Sequence, residues 1–145
     1  MNVNVTEPVV VVTETPDAES VAAIAEGLRA YNLEVSGIND RRPLAVIVKD
    51  PATGRPIGGI NGRTARGLLV IEIFYLPKAL RGSGLGSQVL AMAEEEGRRR
   101  GCKQAVLDTM NFQAPEFYKR QGWRILGQIP CEPPGTVRYI MTKAL

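Results

Sequence analysis

Residues 68–76 read LLVIEIFYL, a run of aliphatic and aromatic side chains broken only by Glu72. A segment this rich in β-branched and aromatic residues is a strand with most of its surface covered. After the short loop PKAL comes RGSGLGS (81–87), and then a helical period in which Leu85, Val89, Met92 and Ala93 share one face. Three glycines in seven positions weaken a helix start unless the bare main chain is itself needed there. A covered strand that runs through such a turn into an amphipathic helix implies a sheet with a helix packed on it.

The neighbouring segments supply the rest of the sheet. PLAVIVKD (43–50) and IGGINGRT (57–64) read as strands, joined by PATGRP (51–56) and linked by ARG (65–67) to the run at 68–76. Connections this short hold no helix, so the three strands form an antiparallel meander. Upstream, PVVVVTETP (8–16) reads as a short buried strand followed by a helix. Thr15 serves as its N-cap, Pro16 fits the first turn, and Asp17 and Glu19 suit the positive end of the dipole. Val21, Ile24, Ala25 and Leu28 mark one face of this helix, which ends near Tyr31 and Asn32. Downstream, CKQAVLDT is a strand, APEFYKRQ a short helix closed by Gly122, WRILGQI a strand, and TVRYIMTKAL the last strand. The order β-α-β-β-β-α-β-α-β-β predicts one α+β domain over residues 1–145, with a mixed, mostly antiparallel sheet of about six or seven strands. A 145-residue chain with 44% apolar residues is long enough to bury such a core.

Composition removes several function classes. The chain has no histidine, which excludes Ser-His-Asp triads, Cys-His dyads and histidine-based zinc sites. Cys102 and Cys131 have no metal-like spacing, and both read as inert thiols. The net charge of +3 suits an anionic ligand but does not argue for nucleic acid. In EEEGRRRG (94–101) the pairs Glu94–Arg98, Glu95–Arg99 and Glu96–Arg100 have favourable i,i+4 order, so the block reads as a solvated helix face rather than a DNA patch. MNVNVTEPVVVV lacks the basic region and long apolar core of a signal peptide, and no apolar run is long enough to span a membrane. A soluble cytoplasmic protein with reduced thiols is expected.

The glycine-rich turn reads as an anion cradle. N–H groups at a helix start carry partial positive charge and bind phosphate oxygens. Gly82, Gly84 and Gly86 keep Cβ atoms out of the way, while Arg81 and Ser83 add donors. The turn is neither a dinucleotide fingerprint, which needs a third glycine where Ser87 stands, nor a P-loop, which needs a Gly-Lys-Ser/Thr step.

Arg81-Gly82-Ser83-Gly84-Leu85-Gly86 resembles the Q/R-x-x-G-x-G/A signature of the GNAT family of N-acetyltransferases. GCKQAVLDTMNFQAPEFYKRQGW (101–123) is similar to that family's later motif, a strand, a polar turn and a short helix ending FY-x-x-x-G-F/Y. PLAVIVKDPATGRPIGGINGRT and RYIMTKAL also look like one bacterial subgroup, so the likeness runs from about residue 43 onward. It implies a three-layer α/β/α arrangement with helices on both faces of the sheet, acetyl-CoA as co-substrate, and no metal. It also implies that Arg81 to Ser87 hold the pyrophosphate, that Phe74, Tyr75 and Leu76 receive the acetyl and pantetheine arm at a bulge, and that Asn111 binds the cofactor. Membership is compatible with a homodimer. The partner is an amine of a small molecule or peptide, with no nucleic acid or membrane involved. Trp123 replaces the commoner Phe or Tyr, and Lys78 and Thr136 stand where subgroup relatives more often carry an acid and a histidine.

Acetyl transfer needs a neutral amine, yet an alkyl ammonium of pKa about 10.4 is only roughly one part in a thousand deprotonated near neutrality. Glu72, the one acid in its strand, is the candidate base. The same alternation is met equally well by a Glu72 that faces solvent from the polar side. Tyr118 matches the family tyrosine that supplies a proton to the departing sulfur, and its alternative is a buried aromatic on a short amphipathic helix. A protein that binds acyl-CoA without turnover shares all of these features.

Overall fold

In the computed structural model the described residues are 6–145, so the start of the segment read above as lacking a signal peptide lies outside them. The chain divides into two compact units, one ending at Asn39 and one spanning Asp40–Leu145. The first contains a single helix, α1 (Ala18–Ser36). Its N-cap is Asp17, not Thr15: a side-chain oxygen of Asp17 accepts from the Ser20 N–H at 2.7 Å. The Thr15 N–H is instead tied to the Thr13 hydroxyl at 3.0 Å. The helix passes Tyr31 and Asn32 because no breaker occurs before Gly37, whose N–H closes the helix on the Leu33 carbonyl at 2.8 Å. The strand expected at 8–16 is absent, since residues 8–13 are irregular. Valine favours an extended chain, but without ladder hydrogen bonds that preference makes no strand.

The second unit is built on a six-stranded sheet in the order β1-β2-β3-β4-β6-β5. The strands are β1 (Arg42–Lys49), β2 (Pro56–Ala65), β3 (Leu68–Tyr75), β4 (Gln104–Met110), β5 (Arg124–Pro130) and β6 (Val137–Ala144). Between β3 and β4 lie a 3-10 turn (Lys78–Leu80) and α2 (Leu85–Arg99), and between β4 and β5 lies α3 (Pro115–Arg120). The β1-β2-β3 meander is antiparallel, as its short turns require. On the other side β6 runs antiparallel to both β4 and β5. The fold is therefore α+β, with a mixed, mostly antiparallel sheet and one parallel seam.

That seam is short. β3 and β4 pair only at Leu68↔Gln104, Leu69↔Ala105 and Val70↔Val106. Beyond this point β3 stays with β2 as far as Tyr75, and β4 stays with β6 as far as Met110, so the two central strands part. A bulge sits where they diverge. Gly62 faces Ile71 and Asn61 faces Ile73, which leaves Glu72 without an opposite residue. The bulge is thus at Glu72, upstream of the expected stretch from Phe74 to Leu76. Gly62 permits it, because a Cβ there would overlap the Val70 carbonyl oxygen.

α2 covers the seam. Leu69, Leu90 and Ala93 are almost wholly enclosed, and the backbone of Gly97 lies against the Leu69 side chain. The charged block of α2 is not one solvated face. Glu94 is buried and takes the Lys143 ammonium at 2.6 Å. Arg100 pairs with Glu96 at 2.9 Å and reaches the Pro43 carbonyl at 2.9 Å. Arg98 keeps the expected pair with Glu94 at 3.7 Å and also meets Glu95 at 3.5 Å, while Arg99 pairs with Glu96 instead of Glu95. Gly62→Ala is expected to lower unfolding free energy in urea by about 2–3 kcal/mol, because the enforced contact is with backbone and cannot relax by a rotamer change.

Candidate active site

The parting strands open a cleft of about 880 Å³. One wall is Glu72 to Leu76 on β3 and the residue after it, and the other is Asp108 to Met110 on β4. The start of α2 and the length of α3 close the cleft at one end through Gly84, Gly86, Ser87, Tyr118 and Gln121.

The α2 start presents backbone donors without helical partners at the cleft. Gly84 is its N-cap, with φ 87°, and Gly82 has φ 78°. A side chain at either position would be strained by the left-handed backbone, although there is open space around both. Backbone conformation is therefore a reason for these two glycines, beside the steric one expected. The first helical bond of α2 runs from the Gln88 N–H to the Gly84 carbonyl at 3.1 Å. The N–H groups of Leu85, Gly86 and Ser87 thus have no carbonyl within the helix and carry its positive end. Arg81 braces the approach, since its Nε donates to the Leu76 carbonyl at 2.9 Å and its guanidinium lies 5.8 Å from the Tyr75 ring centre. Arg120, on the cleft wall, has no ion-pair partner among the described residues.

The other expected residues divide between lining and support. Phe74 lies in the wall, edge-on to Phe117 at 6.1 Å and to Tyr118 at 6.4 Å between ring centres. Leu76 is buried in the same wall. Gly86 faces Phe117, whose ring would be 3.5 Å from an added Cβ. Ser87 lines the cleft and accepts from the Gln121 carboxamide at 3.0 Å. Leu85 packs toward the core instead, and the Ser83 hydroxyl turns back onto the Leu80 carbonyl at 3.2 Å. Asn111 is also absent from the lining. Its Nδ2 donates to the Gly135 carbonyl at 2.9 Å and its Oδ1 accepts from the Val137 N–H at 3.1 Å. Each end of that carboxamide thus makes one bond that holds the loop between β5 and β6 against the end of β4.

Both residues expected to handle protons, Glu72 and Tyr118, line the cleft. Glu72 lines the cleft from the bulge and is ion-paired with Arg63 across the β2–β3 ladder. Its carboxylate is partly exposed, so it has access to both the cleft and water. Tyr118 is only 7% exposed and packs against Phe74, Phe117 and Trp123. Burial among these rings penalises the phenolate and pushes the Tyr118 pKa up to about 12. Sequence reasoning passed over Asp108 and Arg138, which line the opposite wall and pair at 2.5 Å. It also passed over Arg120 and Gln121, although both lie inside the FYKRQGW motif. Alternation along β4 and β6 places Asp108 and Arg138 but does not reveal that β3 has left β4 at that level.

A cleft between two splayed strands, ending on the exposed N–H row of a helix, fits a long acyl thioester with a diphosphate. Comparison with known proteins agrees. The sequence profile of the acetyltransferase (GNAT) family matches residues 13–123. The Agrobacterium fabrum acetyltransferase Atu2258 is 41% identical over 119 residues, which is 82% of this chain and 86% of that protein. Blasticidin-S acetyltransferase of Streptomyces morookaense is 34% identical over 74% of this chain and 82% of its own length. A crystal structure of an Agrobacterium tumefaciens protein superposes with a TM-score of 0.88, covering 95% of this chain and 100% of that one at 37% identity. This chain belongs to the GNAT family and is an acetyl-CoA-dependent N-acetyltransferase.

Proposed function

We propose that the acetyl group passes directly from the thioester of acetyl-CoA to the amine of a small molecule, with both held in the cleft between β3 and β4. The observation that carries this reading is the parting of those strands beyond Val70 and Val106, which leads from the Glu72 bulge to the unpaired N–H groups of α2. The diphosphate is held by the N–H groups of Leu85, Gly86 and Ser87, with Arg81 and Arg120 supplying positive charge beside it. We leave Asn111 out of this set, because its carboxamide is committed to the backbone of Gly135 and Val137.

Glu72 takes the proton that makes the ammonium a nucleophile and passes it to water, to which it is open. The amine then attacks the carbonyl carbon, the C–S bond breaks, and a second proton from nitrogen ends on the CoA sulfur. Tyr118 acts on this last stage as a hydrogen-bond donor. A phenol of pKa about 12 remains protonated at neutral pH. Full transfer of its proton to a thiolate of pKa about 8.5 would be uphill, whereas donation of a hydrogen bond to the departing sulfur is not. The acceptor meets Asp108 and Arg138 on the wall facing Glu72, a charged surface suited to a polar amine. Likeness to an enzyme named for blasticidin S supports small polar amines as the first class to test. Cys102 and Cys131 are both unpaired thiols, which supports a reducing, cytoplasmic setting, and no described helix is long and apolar enough to cross a membrane.

Release of CoA thiol from acetyl-CoA, followed over a panel of polar amines that includes blasticidin S, tests this directly. Turnover with at least one amine is expected, and binding of CoA without turnover of any amine contradicts it. Glu72→Gln is expected to lower kcat at neutral pH by about 10²–10³-fold with the affinity for CoA unchanged. An unaltered kcat removes the base role from this residue.

Tyr118→Phe should reduce kcat by about 10–100-fold and should also change the alkaline limb of stability. The folded-state pKa of about 12 lies above the unfolded value of about 10, so burial of the neutral phenol stabilises fully below pH 10 and is lost as pH rises toward 12. Wild type is therefore expected to lose about 1 kcal/mol more than Tyr118→Phe between pH 9 and pH 11, measured by urea unfolding. Parallel losses would show that Tyr118 titrates as an ordinary phenol.

A further inference from the structure

Beneath the cleft, a chain of polar contacts connects the last strand to the start of α2. The Glu94 carboxylate is 4% exposed in the body of α2, a position where an uncompensated charge is costly. Lys143 of β6 answers it, with Nζ 2.6 Å from Glu94 Oε1, while the Trp123 indole N–H donates to Oε2 at 3.4 Å. The Arg98 guanidinium, largely in solvent, is a more distant partner at 3.7 Å. The same Lys143 ammonium donates to the Gln121 carbonyl at 2.7 Å. Gln121 caps α3, and its carbonyl is one of those a helix end leaves without a partner.

The turn around Gln121 is held from both sides. The Trp123 N–H donates to the Tyr118 carbonyl and the Gly122 N–H to the Lys119 carbonyl, each at 3.0 Å, so Gln121 is fixed in a Schellman turn. From there its carboxamide reaches the Ser87 hydroxyl at 3.0 Å. Ser87 is in the first turn of α2, where the unpaired N–H groups face the cleft. Gln121 and Ser87 line the cleft, whereas Lys143 and Glu94 lie outside it.

We propose that Lys143 is a positioning residue for the acyl donor: anchored on Glu94, it fixes Gln121, which in turn fixes Ser87 and the N–H row that receives the diphosphate. This inference rests on the reading of the cleft as the acetyl-CoA site. It predicts that a residue with no contact to the cleft controls KM for acetyl-CoA and leaves kcat alone. An ion pair that merely stabilised the core would change the melting temperature and neither kinetic constant.

The experiment measures KM and kcat for acetyl-CoA, and Kd for CoA by calorimetry, in Gln121→Ala, Lys143→Met and the double variant. KM and Kd are expected to rise about 5–10-fold in each single variant with kcat within twofold of wild type. The double variant should be no worse than the weaker-binding single variant, because both changes break one pathway. Lys143→Arg, which retains a donor to both partners, should recover most of the affinity. If Lys143→Met does not fold, Glu94→Gln combined with Lys143→Met removes both charges of the pair together and is expected to show the same rise in KM. An unchanged KM in folded Lys143→Met, alone or combined with Glu94→Gln, or effects that multiply in the Gln121→Ala, Lys143→Met double variant, overturns the proposal while leaving the cleft assignment intact. Absence of CoA binding by the wild-type chain overturns both.

Discussion

The structure depends on how early β3 lets go of β4. Three paired positions at the base of the seam hold the two halves of the sheet together under α2, and Leu69 and Ala105 in that short stretch are fully buried. Above it, each strand keeps its other neighbour, so backbone hydrogen bonding is lost on one side only and the sheet does not come apart. The Glu72 bulge re-aims β3 at the point of divergence and carries the one carboxylate of that strand into the opening. Binding groove and candidate base thus arise from the same local irregularity, tolerated because Gly62 has no side chain to collide with Val70.

The second element of the site is the manner in which α2 begins. Its N-cap is a glycine with positive φ and no capping side chain, so no cap takes up the first-turn donors. In most helices a Ser, Thr or Asp would take one of them. α1 illustrates the usual solution, in which Asp17 closes the first turn. The same chain therefore caps one helix and leaves another open, and the open one points at the cleft. Around it, Arg81, Phe117 and Gln121 brace the turn from three directions without occupying those donors.

Features that depend on local pattern were legible in the sequence. The 1–2–3 meander follows from connections too short for helices, the crossover helix from the change of period after Gly84, and the end of α3 from Gly122. The glycine-rich turn and the FYKRQGW segment together indicated the family, and both converge on one cleft. What was not legible depended on tertiary placement. A run of valines at 9–12 has strand propensity whether or not a partner strand exists. Glu94 sits in a charged stretch and looks solvated until Lys143, 49 positions later, is brought against it by β6. Asn111 looks like a cofactor ligand by motif, and the motif does not encode the bonds its amide makes to the backbone of Gly135 and Val137. The register shift at Glu72 leaves no mark on the alternation of LLVIEIFYL.

We place the acyl thioester in the opening between β3 and β4, terminated by the α2 donors. Amide chemical shifts recorded by NMR during titration with CoA test it most directly, since each backbone N–H reports its own hydrogen bonding. The largest changes are expected at Leu85, Gly86 and Ser87, with smaller ones along Ile73 to Leu76 and at Thr109 and Met110. Saturable binding that perturbs amides elsewhere and leaves the α2 start unmoved, or no perturbation at all, would contradict it.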